Sequence, residues 1–331
     1  MRMTSTRVLS AFALWSLLLA PGATAQDANI TQPISEIERQ LAAEPMVIAA
    51  AEISRPKASG DITLKADVAF GGSPPLRVKL RRAEPGAEAF NNVPRYDLAA
   101  YQLQQLFLDP SEYVVPPTAL RMVPLADFKR HAPAATRTFP SAEQVLAVAQ
   151  YWLSDVKVIA DVYDPARFAS DPVYARHIGQ LNIFTYLVDH RDSNVGNFLI
   201  GRAESGARVF SIDHGVAFGS IDSDRGRLWR AMRVDQLPAD TVARLRSITP
   251  AVLQDRLGVL AQWRLQDGGY VPVAHGANLW DGRGVRRKGD DLQLGLTGGE
   301  INSIHKRLER LLERVDAGEL KLVPAPTEDR R

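Results

Sequence analysis

Apolar residues at Ile62, Leu64, Ala66, Val68 and Phe70 alternate with Thr63, Lys65, Asp67 and Ala69. Period-two alternation predicts a strand with one face buried. Gly71-Gly72-Ser73-Pro74-Pro75 interrupts it, and Leu76, Val78 and Leu80 then alternate with Arg77, Lys79 and Arg81, which predicts a second strand with a basic face. Upstream, Ile34 to Leu41 suits a short helix, while the Ala-rich run Met46 to Ile53 suits strand or helix equally. Downstream of Pro94, Tyr96 to Leu106 predicts a helix with Leu98, Tyr101 (or Gln102) and Leu106 roughly along one side. Thr118 to Pro124 predicts a strand, and Leu125 to Pro140 a connection. Ser141 with Gln144 reads as a capping box opening a helix, with Val145, Val148, Ala149 and Trp152 at helical spacing. Tyr174 to Val188 predicts another helix, whose Ile178, Leu181, Phe184 (or Thr185) and Val188 form a core face. Leu228 to Leu265, punctuated by Pro238 and Pro250, reads as two or three helices. Asp267 to Leu296 is Gly-rich and charged, and predicts irregular chain. Thr297-Gly298-Gly299-Glu300 is a capping box for a last amphipathic helix carrying Ile301, Ile304, Leu308, Leu311, Leu312 and Val315.

The densest chemistry follows the helix at Tyr174–Val188. Asp189-His190-Arg191-Asp192-Ser193-Asn194-Val195-Gly196-Asn197 is a polar turn, and Phe198-Leu199-Ile200 leaves it as a strand. After a short turn, Val209-Phe210-Ser211-Ile212 delivers Asp213-His214-Gly215. The pattern is a hairpin with Asn197 at its entry and Asp213 at its exit. Phosphoryl transfer needs such a set: a carboxylate to position the attacking hydroxyl, and an Asn and a second Asp for the metal that bridges the phosphates. His190-Arg191-Asp192 through Asn197 fits H-R-D-x-x-x-x-N without a gap. Asp189 stands equally far before Asn194, but the apolar strand follows Asn197, so the assignment is Asp192 with Asn197.

These residues resemble the atypical kinase-like superfamily, with D-x-x-x-G-N before an apolar strand and then I-D-H-G. Its members include the phosphatidylinositol 3-/4-kinases, the HipA-type kinases and the secretory-pathway kinases that phosphorylate casein. The resemblance implies an α+β, two-lobed protein-kinase-like fold: a small β-rich N-lobe over 50–130 and a larger, mainly helical C-lobe over 131–320. It implies Asp192 as base, Asn197 and Asp213 as metal ligands, and ATP with Mg²⁺ or Mn²⁺ as cofactors. Lys79 would contact the phosphates, and Gly71, Gly72 and Ser73 would form the turn that covers them. The helix after Pro94 and Val115-Pro116-Pro117-Thr118 resemble the next pieces of such an N-lobe. There the helix supplies a Glu to the strand lysine, whereas this chain has Asp97, one methylene shorter, with Glu84 or Glu88 as substitutes.

Composition changes the picture at one point. Arg2 and Arg7, the apolar run Val8 to Leu19 and Ala23-Thr24-Ala25 read as a cleaved leader over residues 1–25. The apolar run is short of the roughly 20 residues a membrane span needs. Residues 26–49 are then an N-terminal extension and 321–331 a tail. The leader takes two of the 40 basic residues and none of the 38 acidic ones, so the +2 chain becomes neutral and offers no charge for nucleic acid. The chain has no cysteine, hence no disulfide or thiolate site. No H-E-x-x-H or G-x-S-x-G motif is present. The expectation is a periplasmic or secreted phosphotransferase that binds nucleotide and an acceptor of protein, lipid or small-molecule type, with no membrane span after cleavage. Extracytoplasmic ATP is scarce, so a catalytically silent kinase-fold binding or scaffold protein stands as the alternative, as does an AMP transferase on the same fold.

Overall fold

In the computed structural model, the described residues are 28–54, 62–202, 208–219 and 223–324. The leader expected over 1–25 and the end of the tail lie outside them. The chain opens with α1 (Ile34–Ala43), β1 (Met46–Ile53), β2 (Thr63–Phe70) and β3 (Ser73–Arg82), followed by α2 (Pro94–Gln104), β4 (Thr118–Pro124), α3 (Leu125–Lys129) and β5 (Gln144–Tyr151). All five strands form one sheet in the order β1-β2-β3-β5-β4. Every pairing is antiparallel. Leu64, Ala66, Val68 and Phe70 of β2, with Leu76, Val78 and Leu80 of β3, are buried, as their alternation predicts. They pack against Ile37 and Leu41 of α1 and Phe128 of α3. The N-terminal extension therefore covers the outer face of the sheet. Asn29 Nδ2 donates to the carbonyls of Ser154 (3.0 Å) and Asp155 (3.1 Å), fastening the extension beyond the end of β5.

The helix expected from Ser141 is instead the strand β5. Val145 to Tyr151 are buried without a break, because β5 lies inside the sheet with side chains covered on both faces. A strand buried on both faces loses its alternation and reads like a buried helix. The sheet thus runs to Tyr151, and a lobe boundary near residue 130 falls inside it.

The second half comprises β6 (Val156–Lys157), α4 (Pro165–Ser170), α5 (Pro172–Val188), β7 (Phe198–Gly201), β8 (Val209–Ser211), β9 (Gln236–Pro238), α6 (Ala239–Leu245) and α7 (Pro250–Leu257). Then come β10 (Ala261–Gln266), β11 (Gly269–Pro272), β12 (Val285–Lys288), β13 (Asp291–Leu294), α8 (Gly298–Asp316) and β14 (Lys321–Val323). The expected hairpin is β7–β8, with Phe198 opposite Ser211. The end of the expected helical stretch and the expected irregular stretch together form a four-stranded sheet, β11-β10-β13-β12. Its strands escape apolar patterning because Arg286 is buried as their hub. The guanidinium is satisfied by backbone carbonyls, with Nη1 to Gly258 at 2.7 Å and Nη2 to Leu296 at 2.6 Å. A buried cation is tolerated only when so paired. The Thr297/Glu300 capping box forms as expected at the start of α8. The tail begins as β14, parallel to β9. No helix among the described residues is long and apolar enough to cross a membrane.

Candidate active site

Helix α5 ends at Val188, and Asp189 caps it in the left-handed region, φ 48°. That turn throws the chain back so that His190 is fully buried. The Asp189 carboxylate goes to Arg191, 3.0 Å away, and to Arg230 at 3.7 Å. Asp192 is the organising acid. Asn194 Nδ2 donates to its Oδ1 at 2.6 Å, and Asn197 Nδ2 donates to its Oδ2 at 2.9 Å and to its carbonyl at 2.8 Å. Of the two registers open in the sequence, the structure brings together Asp192 and Asn197. With Nδ2 committed to Asp192, the Asn197 Oδ1 is the atom left for a cation.

The hairpin brings the second acid alongside. Ile212 N–H donates to the Asn197 carbonyl at 3.0 Å, so Asn197 and Asp213 sit on adjacent rungs. Asp213 has φ 66°, a costly conformation for a non-glycine residue that persists only where surroundings enforce it. Lys79 Nζ lies 3.2 Å from Asp213 Oδ1, and Arg81 contacts the same oxygen. Lys79, on the polar face of β3, therefore reaches Asp213 across 134 positions of sequence.

Asp97 departs from expectation. It does not hydrogen-bond to Lys79; its Oδ2 is held by Arg81, and its Oδ1 accepts the His214 N–H at 3.1 Å. Glu84 pairs with Arg82 and Glu88 with Arg95, so neither substitutes. Being one methylene shorter, Asp97 meets the longer guanidinium that lies two residues beyond Lys79 on the same strand face. Asp97 is 0 % exposed. Burial pushes its pKa up, and Arg81 pulls it back toward the charged form. Arg81 also lies flat on the D-H-G turn: a Cβ at Gly215 would stand 2.8 Å from its Nη2. Arg81 is one residue that sequence reasoning missed. Its only signal was its place on the Lys79 face.

Gly71, Gly72 and Ser73 are not brought to the site. They make the β2–β3 hairpin turn, with Gly72 at φ 94°. Ser73 is six residues from Lys79 along β3, about 20 Å at strand rise. The cross-strand row Glu52–Lys65–Lys79 places Lys79 at the other end of the sheet, toward the β1–β2 connection. Residues 55–61 of that connection lie outside the described residues. Alternation identifies two strands but does not say which end of the sheet meets the catalytic turn.

A second glycine completes the site. A Cβ on Gly226 would stand 2.3 Å from the His190 carbonyl oxygen and 3.2 Å from Ser193 N, so only glycine lets the segment after the D-H-G turn lie on the catalytic turn. Its neighbour Arg225 reaches Asp192 Oδ1 at 3.1 Å. Gly226→Ala is expected to push this segment off the turn and, if the site carries out a reaction, to lower its rate on the order of tenfold or more, since displacements near 1 Å cost up to about 100-fold. Activity equal to the unmodified protein would show that the contact is incidental.

His190 and His214 stack behind Asp213 with ring centroids 4.7 Å apart, bridged by the Ser211 hydroxyl. Burial lowers both pKa values. The unfolded chain, with histidines near 6.5, then takes protons first as pH falls. Folding stability should be full above about pH 6.5 and decline below it, by up to about 3 kcal/mol per pH unit for two protons. Urea denaturation at pH 7.5 and 5.5 tests this, and equal midpoints would refute it.

Among the described residues, no group of three or more His, Cys, Asp or Glu is arranged to hold a metal by itself. One carboxylate and one amide oxygen nevertheless suit Mg²⁺ or Mn²⁺, since such ions take hard oxygen ligands and Mg²⁺ keeps waters and phosphate oxygens in its shell.

No protein-family model and no curated protein matches the chain. Among solved structures, the Golgi casein kinase with Mn/ADP bound is similar with a TM-score of 0.53 at 13% identity, over 92% of this chain and 79% of that one. A second crystal structure of the Golgi casein kinase gives the same score and identity over 88% and 78%. The likeness establishes that the chain has a fold like that of the Golgi casein kinase.

Proposed function

We propose that this chain is an exported, metal-dependent phosphotransferase that moves the γ-phosphoryl group of ATP to a hydroxyl acceptor. The observation that carries the reading is the rung joining Asn197 to Ile212: it ties Asn197, which holds Asp192, to the strand end that carries Asp213, where Lys79 reaches in from the sheet. Asp192 takes the proton of the attacking hydroxyl as the new P–O bond forms and the bond to the ADP oxygen breaks. Asn197 holds the Asp192 carboxylate in place through Nδ2. Lys79 supplies positive charge beside the transferring group. A divalent ion at Asn197 and Asp213 would neutralise phosphate charge. Mn/ADP in the similar Golgi casein kinase supports nucleotide and metal here. Residues 1–25 supply the reason for placing the protein in the periplasm or outside the cell.

Arg81 favours a second reading, a kinase-fold binding protein without transfer, because it ties up Asp97 and contacts Asp213. One experiment separates the two: thermal stability and phosphoryl release of residues 26–331 with ATP and Mn²⁺ or Mg²⁺. A metal-dependent stabilisation with ATP turnover supports transfer. Stabilisation without turnover, or no stabilisation by any nucleotide, overturns transfer and supports the binding or scaffold protein, whose ligand is then sought among partner proteins.

A further inference from the structure

Beside Asp192 lies a pocket of about 200 Å³ that no step so far has used. The catalytic turn forms one wall through Ser193 and Val195, and the segment after Gly226 forms another through Leu228 and Trp229. Ile159 and Val162, from the chain between β6 and α4, close it. Its floor is apolar, with the Trp229 ring tilted against Phe198 at 5.0 Å. Its rim pairs two exposed apolar side chains, Val195 at 59 % and Leu228 at 61 %, with Asn194, Arg225 and the Asp161–Arg233 ion pair. Exposed apolar side chains gathered around a concavity mark a binding surface more than scattered ones do.

Two polar features point to a ligand. Ser193 is 3 % exposed, yet its hydroxyl has no hydrogen-bond partner, and a buried polar group left unpaired calls for an explanation. Arg225 also lines the pocket, and its guanidinium rests on Asp192 Oδ1. At 69 % exposure it can swing into water at little cost, since exposed ion pairs are worth about 0–1 kcal/mol. A ligand in the pocket is thus adjacent to the carboxylate that takes the acceptor proton.

The size of the pocket narrows the ligand. Sites that enclose whole drug-sized molecules run from about 300 to 1,000 Å³, so this one takes a single side-chain-sized group. A chain molecule fits that description, with one group seated and the rest outside. We propose that the pocket is the acceptor subsite, and that it takes a polypeptide presenting an apolar side chain next to the reacting hydroxyl residue, with Ser193 hydrogen-bonding the bound chain. The inference rests on the phosphotransfer reading.

The test uses residues 26–331 with ATP and Mn²⁺ against a degenerate library of Ser-, Thr- and Tyr-centred peptides, with ATP turnover followed in the same samples. One position beside the acceptor should select apolar residues by about tenfold or more, the discrimination that a hydrophobic pocket gives. Leu228→Asp should abolish that selection and favour a basic residue there. Val173→Asp, equally a change at an exposed apolar residue but on the first turn of α5, should leave the profile as it was. The thermal shift with ATP and Mn²⁺ reports whether the Leu228 variant is folded. If it is not, Val195→Asp replaces it. ATP turnover with a flat profile, with a profile untouched by the rim variants, or with transfer only to small hydroxylated molecules overturns the subsite alone. Absence of ATP turnover overturns the phosphotransfer reading and the subsite with it.

Discussion

Asp213→Ala is expected to lose the metal-dependent stabilisation by ATP, whereas Asp192→Ala keeps it and loses phosphoryl transfer. The split follows from where each carboxylate sits. Asp213 stands beside Asn197 and against Lys79, so it is the group that would share a cation with the phosphates. Asp192 makes its contacts within its own turn and to Arg225, so it meets the acceptor rather than the nucleotide. ATP at a hundred times its dissociation constant should stabilise the unmodified protein by about 2.7 kcal/mol. That increment should vanish in Asp213→Ala and persist in Asp192→Ala. Transfer in Asp192→Ala should fall on the order of 100- to 10,000-fold, the usual worth of a positioned base. Equal stabilisation by ATP in all three proteins would remove Asp213 from the metal site, and full transfer by Asp192→Ala would remove the base.

The hairpin was legible because its pattern is local. Asp192, Asn197 and Asp213 lie within 22 positions of one another, and turn residues between apolar runs set the hairpin that carries them, although Lys79 and Arg81 from far upstream hold the Asp213 carboxylate. Lys79 was legible because alternation put it on a polar strand face. What failed was whatever depends on neighbours far away in sequence. The β5 run was mistaken for a helix because neighbouring strands and covering side chains bury both its faces. The Gly71–Gly72 turn is a sound hairpin, but at the wrong end of the sheet for the catalytic turn. Asp97 and Arg81 could not be matched from the sequence because β3 offers three cations, Arg77, Lys79 and Arg81, on one face. Which of them meets α2 is decided by the packing of that helix. Gly226 carries no local signal at all, since its need for a bare Cα comes from the backbone of His190 to Ser193 lying against it.

Arg81→Met is expected to cost about 3–5 kcal/mol of folding stability, the penalty for stripping the partner from a buried charge. Asp97 is wholly inside and, without Arg81, keeps the His214 N–H as its hydrogen-bond donor. Burial already pushes its pKa up; without the guanidinium it should take up a proton, so the variant loses less stability at acid pH than at neutral pH. Arg81→Lys should fall between the two proteins, because a single ammonium cannot span Asp97 and Asp213 as the forked guanidinium does. The double variant Arg81→Met with Asp97→Leu removes both charges and should regain much of the loss, because apolar replacement of a whole buried pair is often neutral. Recovery should stop short of complete, since the His214 N–H then loses its acceptor, a further cost of about 1–3 kcal/mol. Urea denaturation of the unmodified protein, Arg81→Met, Asp97→Leu and the double variant closes the cycle, with Arg81→Lys measured alongside. A single-variant loss below about 1 kcal/mol, or a double variant no better than the single, would mean that Arg81 does not hold Asp97 and the D-H-G turn together. If the cycle closes as argued, Asp97 serves Arg81 rather than Lys79, and among the described residues Lys79 keeps the Asp213 carboxylate as its ion-pair partner.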